Sequence, residues 1–425
     1  MDKWLLLLIA YLPFQIAFNP GANFDLASLR VFIVLFFLVW LVIKGFKINQ
    51  FKNLQNIGLI LFLILAGFSL IGAENFSWGL RKILFFASIF PLYWLVFSLI
   101  NDWSRIRKIV RVLIWGGSSL ALIGLLQFLA QFVFGLERVY GFWANNILPV
   151  FSGFNLGAMI LAYPSWSVNV NGQTLMRAFS LFSDPHIFSF YLGLILPLII
   201  ICLGKFKGPA SFFYLFYFLV LVSLLFSFTR GAYLAIMVAF LVLIILFWKY
   251  LKNKKIPCLL FLCLLIFIIP GTFISDRLYS SFDLEEGSNQ GRLAMWQQAG
   301  QVGWNNFWQG VGLGNYSLTV DAQFDYRNPA TAHNFYLDVF SEMGIFALIV
   351  WLGLILGTLG QLLRKLRQAA QLEEKYLLVG LIGALVYLIV HSCFETLIYS
   401  PSALALLMVI LSISSRLCFD VSKNN

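Results

Sequence analysis

The sequence is poor in charged residues and in histidine, and its cysteines show no regular spacing. Of its 425 residues, 61% are hydrophobic, 11% are charged and three are histidines, and the mean hydropathy is +0.88. Soluble domains are typically about 45–50% apolar and about 25% charged. The composition therefore excludes a soluble protein and predicts an integral membrane protein, in which the many aromatic residues suit lipid-facing helices and interfacial belts.

Metal and disulfide chemistry are also poorly supported. The five cysteines lie in or beside apolar segments without the spacing of metal ligands, and no Asp-x-Asp pair lies beside a predicted helix end. We interpret the cysteines as small hydrophobic residues. The sequence predicts chemistry that needs neither a metal nor another cofactor.

The net charge of +11 does not indicate a nucleic-acid-binding protein, because the basic residues fall in short loops between apolar stretches. Such loops orient membrane helices. Since a spanning helix needs roughly 20 apolar residues, the pattern predicts an all-α integral membrane protein with about twelve transmembrane helices. The predicted spans are 4–19, 29–43, 56–72, 83–100, 110–134, 187–203, 211–228, 231–248, 256–275, 336–362, 376–393 and 399–415.

The distribution of the 29 lysines and arginines fixes the predicted orientation. Most of them lie on the side of the two termini, so the positive-inside rule places both termini in the cytoplasm. Two long loops, 135–186 and 276–335, are then extracytoplasmic, and no cytoplasmic loop has room for a nucleotide-binding domain. Long ordered loops usually carry function. We expect a single polytopic membrane domain, 1–425, whose chemistry lies outside the cytoplasm.

Arg230 interrupts a long apolar stretch, in the sequence Phe228-Thr229-Arg230-Gly231 between two predicted spans. The predicted topology places this tight turn on the outer face, where cations are scarce. Arginine pairs bidentately with phosphate oxygens and stays charged, so Arg230 is a candidate for binding an anionic substrate. The alternative is an arginine that extends to lipid headgroups.

His333 is the strongest candidate for acid–base chemistry. It lies where the second long loop enters the tenth predicted span, and an imidazole there can take a proton from a hydroxyl near neutral pH. The alternative is an interfacial histidine that hydrogen-bonds backbone at a helix start. His186 and His391 are interpreted as structural.

Arg292 opens a segment with apolar residues at helical spacing, which predicts a short helix lying on the outer membrane surface. It is a second candidate for anion binding, or else part of a solvated face. Arg177 and Arg81 are further outward cations that we predict to bind substrate. A glycine-rich segment, 308–316, can in principle cradle phosphate, but no strand precedes it, and we favour a close-packed turn beneath the site.

Taken together, these segments resemble the O-antigen ligase and polymerase family of bacterial envelope proteins. The resemblance is strongest over 211–355, the predicted family core, and depends on the order of several short motifs. These are Thr229-Arg230-Gly231, Gly291-Arg292 followed by Trp296, Gly310-x-Gly312-x-Gly314, Ala332-His333-Asn334 and Glu342-Met343-Gly344.

The resemblance implies a membrane glycosyltransferase of the bacterial inner membrane, with its active site on the extracytoplasmic face. Family members transfer glycan from an undecaprenyl-diphosphate carrier to a hydroxyl of an acceptor, which is a glycolipid in the ligases and another carrier-linked repeat in the polymerases. By resemblance, Arg230 and Arg292 bind the donor diphosphate, and His333 acts as the base in an inverting, metal-independent transfer. We expect the three residues to meet if the second loop folds back over the helix ends.

Four functions are weighed from the sequence. The ligase type is favoured, because the glycine-rich segment and His333-Asn334 look closest to it, and a polysaccharide polymerase of the same family is the first alternative. An anionic lipid or solute transporter predicts ionisable residues deep in the spans, and the sequence has few. A structural assembly protein leaves the outward arginines and histidine unexplained.

Overall fold

The computed structural model describes residues 1–21, 24–45, 52–162, 165–170, 172–205, 210–251, 255–269, 271–283, 285, 287–324, 330–396 and 400–419. Parts of the predicted loop 276–335, namely 284, 286 and 325–329, lie outside these residues.

Helices dominate the described part of the chain, with two small hairpins. The first ten helices are α1 (Asp2–Tyr11), α2 (Ser28–Lys44), α3 (Leu54–Ser69), α4 (Phe76–Ile89), α5 (Pro91–Leu99), α6 (Trp103–Phe134), α7 (Leu136–Phe142), α8 (Leu148–Ser152), α9 (Phe154–Ala162) and α10 (Pro185–Lys205). The others are α11 (Ala210–Leu225), α12 (Arg230–Leu246), α13 (Lys255–Ile268), α14 (Phe273–Tyr279), α15 (Gly287–Asn305), α16 (Tyr316–Val320), α17 (Phe335–Gln368), α18 (Leu372–His391) and α19 (Pro401–Cys418). The antiparallel hairpins are β1 (Ala17–Gly21) with β2 (Phe24–Ala27), and β3 (Ser167–Val170) with β4 (Gln173–Met176).

The chain divides into two compact units. The first unit comprises Met1–Leu29, Asp102–Phe282 and Leu362–His391, and the second comprises Arg30–Asn101, Asp283–Gln361 and Ser392–Asn425. In the first unit α10 and α12 pack on α18, and α11 packs on α6 and α10. In the second unit α19 packs on α3, α4 and α5, and α15 packs on α16.

Seven helical segments within the described residues are long and apolar enough to cross a membrane, so the protein is a multi-pass membrane protein. They are Leu54–Gly72, Phe76–Leu99, Trp103–Phe134, Arg230–Leu251, Phe335–Gln368, Leu372–His391 and Pro401–Cys418. Shorter apolar helices cover Pro185–Ile200, Phe212–Leu225 and Lys255–Phe267.

The first predicted span differs from the structure. Residues 4–19 were expected to form one helix, but α1 ends at Tyr11 and a short turn with Pro13 follows. Proline fixes its own backbone and donates no N–H, which favours a break here. The chain then enters the β1–β2 hairpin, and the Tyr11 hydroxyl holds its start by accepting a hydrogen bond from Ile16 N at 2.9 Å.

The predicted loop 135–186 has regular structure of its own. It contains α7, α8, α9 and the β3–β4 hairpin. The hairpin is tied to α6 by a buried glutamine, because Gln131 donates to the Met176 carbonyl at 3.0 Å and accepts from Met176 N at 2.8 Å. Gln127 on the same helix accepts from the backbone N–H groups of Phe179 and Ser180. This anchoring fixes the chain on both sides of Arg177.

Close packing of α10 against α18 gives a test of the first unit. A Cβ at Gly193 would lie 1.8 Å from Cζ of Tyr387, and the Tyr387 hydroxyl is held by the Ser189 carbonyl at 2.8 Å. Overpacking of this kind typically costs 1–3 kcal/mol, so we expect Gly193→Ala to destabilise the purified protein by about 1–3 kcal/mol or more.

Thermal unfolding in detergent measures this effect. Gly353→Ala is the matched control, because Gly353 is also helical and a Cβ there meets nothing within 4 Å. Alanine is favoured over glycine in a helix by up to about 1 kcal/mol, so the control should unfold at the same temperature as the native protein or slightly above it. Equal melting temperatures for the two variants would contradict the packing argument.

Candidate active site

His333 lies in a constrained turn immediately before α17. Its φ of 46° is in the left-handed region, where histidine is more frequent than most residues but still uncommon. Asn334 caps the helix, since its side-chain oxygen accepts hydrogen bonds from the backbone N–H groups of Tyr336 and Leu337. The N–H of Phe335 donates to the Ser392 carbonyl at 2.9 Å. The turn is therefore tied to the segment that follows α18.

The imidazole of His333 pairs with a carboxylate from that segment. Nδ1 of His333 lies 3.3 Å from Oε1 of Glu395. The His333 side chain is 44% exposed, whereas the Glu395 side chain is 12% exposed. A carboxylate on Nδ1 favours the tautomer with its proton there and leaves Nε2 as the basic nitrogen. The geometry is that of an oriented, partly accessible base.

The surrounding charges shift the pKa of His333. The negative charge of Glu395 and the hydrogen bond to it raise the pKa of His333 above its ordinary value. Partial burial and the positive charge of Arg292 act in the opposite direction, and the charge of Asp338 adds a further increase. The carboxylate therefore strengthens the imidazole as a proton acceptor.

Arg292 lies on α15, the helix that the sequence predicted there. The helix is fixed by a small buried cluster in which Ala299 packs with Tyr316 and Ala332, the residue before His333. Trp296, one turn from Arg292, packs against the same cluster. Arg292 is half-buried, and its charge acts on His333. The second unit thus brings a cation and the histidine into one electrostatic environment.

The glycine-rich segment packs against the middle of α17. A Cβ at Gly310 would lie 2.3 Å from the carbonyl carbon of Glu342, and a Cβ at Gly344 would lie 2.3 Å from the Trp308 oxygen. Both glycines have positive φ, 70° and 76°. Only glycine permits this backbone together with such close approach. Gly344 also interrupts the regular dihedral angles of α17.

The backbone of the same segment already has partners. The N–H groups of Val311 and Gly312 donate to the carbonyls of Ser341 and Glu342, at 2.9 and 3.0 Å. Donors that are used in this way do not form a phosphate cradle. The geometry agrees with the interpretation of 308–316 as a close-packed turn.

A buried ion pair joins α4 to α17 in the second unit. Nζ of Lys82 on α4 lies 2.8 and 3.1 Å from the two carboxylate oxygens of Glu342 on α17, and both side chains are buried. Ionisable residues in apolar spans are costly unless paired. Arg81, the neighbour of Lys82, is exposed on α4.

Arg230 and Arg177 belong to the first unit. Arg230 is the first residue of α12 and is half-buried. Its Nη1 donates to the Ser280 carbonyl at 3.1 Å and to the Ser280 hydroxyl at 3.3 Å. Phe228, two residues earlier, has a φ of 50°. Arg230 therefore follows a turn that needs support from its surroundings.

That support comes from Arg177, which is 5% exposed. Its Nε donates to the Ser227 carbonyl at 2.7 Å, and its Nη2 donates to the Thr229 hydroxyl at 3.0 Å. Its Nη1 lies 3.4 Å from Nε2 of His186. The sequence predicted Arg177 as an outward substrate contact; the structure shows it bound to the turn before Arg230. The predicted meeting of Arg230 with Arg292 and His333 stays a prediction.

The other histidines have the surroundings of structural residues. His391 is fully buried in the first unit and stacks on Phe190, with ring centroids 4.8 Å apart. His186 lies beside Arg177. Within the described residues, no group of three His, Cys, Asp or Glu side chains has the arrangement of a metal site, and metal-independent chemistry remains a prediction.

Sequence reasoning missed two functional candidates. Glu395 is one, since no sequence pattern links it to His333, which is 62 positions earlier in the chain. Lys82 is the other, since the sequence alone shows it only as one of the 29 basic residues. The available signal was the presence of ionisable groups at the ends of apolar spans, which are expensive to place there and are usually functional.

Comparison with known proteins supports the resemblance. Residues 215–352 match the model of a family described as O-antigen ligase, and this segment lies within the region where the motifs resemble that family. The matched segment contains Arg230, Arg292, His333, Asp338 and Glu342. No curated protein gives a significant match to the chain.

The His333–Glu395 contact predicts a shift in titration. Glu395→Gln removes the negative charge that chiefly raises the pKa of His333, so we expect the midpoint of His333 titration to move to lower pH. Side-chain NMR of protein labelled at its three histidines measures this directly, with the His333 signal assigned by its loss in His333→Gln. Asp321→Asn, which alters an exposed carboxylate of the same unit, is the control. An unchanged or higher midpoint in Glu395→Gln would contradict the pairing.

Proposed function

We propose that the protein transfers a glycan from an undecaprenyl-diphosphate carrier to a hydroxyl of an acceptor glycolipid, a proposal supported by the match of residues 215–352 to a family described as O-antigen ligase. The observation that carries this proposal is the pairing of His333, which lies in the matched segment, with Glu395, 3.3 Å away. A pairing of this kind suits the removal of a proton from a hydroxyl.

The proposed reaction is a single displacement. Nε2 of His333 takes the proton of the acceptor hydroxyl while the hydroxyl oxygen attacks the anomeric carbon of the donor sugar. The bond between that carbon and the diphosphate oxygen breaks, and undecaprenyl diphosphate leaves with the electron pair. Attack opposite the leaving group inverts the anomeric centre. Glu395 stabilises the imidazolium that forms.

Cations are needed where the leaving diphosphate gains charge, because preorganised positive groups stabilise it most when they are fixed beforehand. We assign this role to Arg292 and Arg230. Arg292 is supported by its helix, α15, which packs on the loop of His333. Arg230 is supported by the braced turn before α12. Arg177 and Arg81 remain predicted substrate contacts.

The cellular setting is part of the proposal. We place the protein in the bacterial inner membrane with about twelve spans, cytoplasmic termini and an extracytoplasmic active site. The long and shorter apolar helices support this arrangement, and so does the excess of basic residues in the loops on the side of the termini. An outer location fits a donor attached to a lipid carrier, since the reaction then needs no cytosolic nucleotide.

Reconstitution separates the possible functions. Purified protein in liposomes is supplied with undecaprenyl-diphosphate glycan and, in separate reactions, with lipid A core or with further carrier-linked repeats. Glycan on lipid A core identifies a ligase, and lengthened carrier-linked glycan identifies a polymerase. Carrier that crosses the bilayer without any glycosidic bond forming identifies a transporter and would overturn the proposal. Activity lost on adding a chelator would overturn its metal-independent form.

Replacement of His333 tests its role as a base. His333→Ala should lower the rate of transfer about 10²–10⁴-fold, the usual contribution of general base catalysis, while the protein remains inserted and abundant. His333→Gln distinguishes a base from a structural histidine, since glutamine can hydrogen-bond but cannot accept the proton. Activity close to native in either variant would remove His333 from the mechanism.

Arg230→Lys tests bidentate recognition of the donor. A lysine keeps the charge but cannot form the planar fork that matches phosphate, so we expect transfer to fall about tenfold or more, the effect of losing roughly 1.4 kcal/mol. The rate of transfer at limiting donor is the measurement. Arg138→Lys, an exposed arginine of the same unit, is the matched control and should keep the native rate. A native rate in Arg230→Lys would favour contact with lipid headgroups instead.

A further inference from the structure

Asp338 links the two residues that pair in the candidate site. Its carboxylate is almost fully buried, with 3% of the residue exposed. Oδ1 accepts a hydrogen bond from the N–H of Ala332 at 2.9 Å, and Oδ2 accepts one from the hydroxyl of Thr396 at 2.5 Å. Ala332 directly precedes His333, and Thr396 directly follows Glu395. One carboxylate therefore holds the chain beside both members of the pair.

This bridge joins segments that are distant in the chain. The turn before α17 and the segment after α18 are also joined by the hydrogen bond from Phe335 N to the Ser392 carbonyl. That contact lies on the far side of His333 from Ala332. The two contacts together fix the His333 turn at both of its ends, which a left-handed histidine requires, because such a backbone persists only when its surroundings determine it.

We propose that Asp338 is a positioning residue that sets the distance and orientation between His333 and Glu395. The inference rests on the proposed function, in which that pair is the base. Asp338 acts on the pair through the backbone of Ala332 and the side chain of Thr396. A displacement of about 1 Å in a catalytic group can lower a rate about 100-fold, so a residue of this kind is essential without touching substrate.

Substitutions at position 338 separate the effect of the hydrogen bonds of Asp338 from the effect of its negative charge. The charged groups that act on His333 are Glu395 from the segment after α18, Arg292 from α15 and Asp338 itself from α17. Among them Glu395 has the largest effect. An asparagine at 338 loses the charge but keeps both hydrogen bonds, since its oxygen accepts from Ala332 and its amide donates to the Thr396 hydroxyl. An alanine loses both.

The setting of Asp338 supports a functional reason for its burial. Glu342 lies one helical turn further along α17 and is held by Lys82. Asp338 is held instead by one backbone N–H and one hydroxyl. A buried carboxylate with neutral donors is costly, and a sequence that needed only packing at this site would be served by an apolar residue. The hydrogen bonds of Asp338 to Ala332 and Thr396, the neighbours of His333 and Glu395, explain why a carboxylate is present here.

The experiment compares Asp338→Ala, Asp338→Asn and Thr396→Val in full-length protein. We measure kcat, KM and the pH profile of transfer, together with the His333 titration by NMR. Asp338→Ala should lower kcat about 100-fold with little change in KM, and should move the acid limb of the profile and the His333 midpoint to lower pH. Asp338→Asn should keep most of the native activity, and its acid limb and His333 midpoint should lie close to the native ones. The activity and the His333 midpoint of Thr396→Val should lie between those of Asp338→Ala and Asp338→Asn.

Two comparisons isolate the positioning role. Thr358→Val makes the same change at a buried threonine of α17 that accepts a hydrogen bond from Gln55 at 3.0 Å, about seven turns from His333; it should keep the native profile. Asp338→Ala combined with Glu395→Gln should be no slower than Glu395→Gln alone, because the pair that Asp338 positions is already lost.

The outcomes decide the proposal. An Asp338→Asn variant as impaired as Asp338→Ala would show that charge matters and would overturn positioning. So would a native profile in Thr396→Val, or an unmoved His333 midpoint in folded Asp338→Ala. The NMR titration needs no substrate, so it tests the positioning of His333 even if the native protein transfers no glycan, in which case only the proposed function fails.

Discussion

The need to pair buried charged groups underlies this structure. In the apolar interior of a membrane protein an unpaired charge costs several kcal/mol or more, and two buried cations of this protein have partners. Lys82 is bound to Glu342 in the second unit, and Arg177 is bound to backbone and hydroxyl oxygens in the first. These contacts fix turns and helix ends at the positions where the family motifs occur. Stability and placement of the site thus have a common source.

The same constraint explains why the histidine site is both rigid and accessible. Glu395 is mostly buried, so its charge acts on His333 without full screening by water, whereas the imidazole remains 44% exposed and can meet a substrate. A fully buried pair would lack access, and a fully exposed pair would lose most of its electrostatic coupling. The positive charge of Arg292 opposes Glu395, which keeps the basic form of the imidazole available closer to neutral pH.

Sequence patterns predicted the features that depend on local order and composition. The helical membrane class, the helix that carries Arg292, the role of 308–316 as a close-packed turn and the family follow from hydropathy, periodicity and short motifs. The partnership of His333 with Glu395 did not, because hydrogen bonds between segments 62 positions apart depend on tertiary packing. The early end of α1 at Tyr11 was missed for another reason, since an apolar stretch identifies burial in lipid or protein without distinguishing helix from hairpin.

A base of this kind does not select the acceptor by itself. The proton that His333 is proposed to take belongs to a hydroxyl, and hydroxyls are present on lipid A core sugars and on carrier-linked repeats alike. Ligase and polymerase can therefore share the His333–Glu395 pair and the cations for the leaving diphosphate, and the difference must come from contacts to the remainder of the acceptor. A neutral donor or acceptor group placed to bind one sugar rejects an analogue that leaves it unpaired far better than apolar contact does. If His333 is the base, as proposed, we expect specificity to come from polar side chains around its turn, whereas the turn itself supplies the bond-forming chemistry.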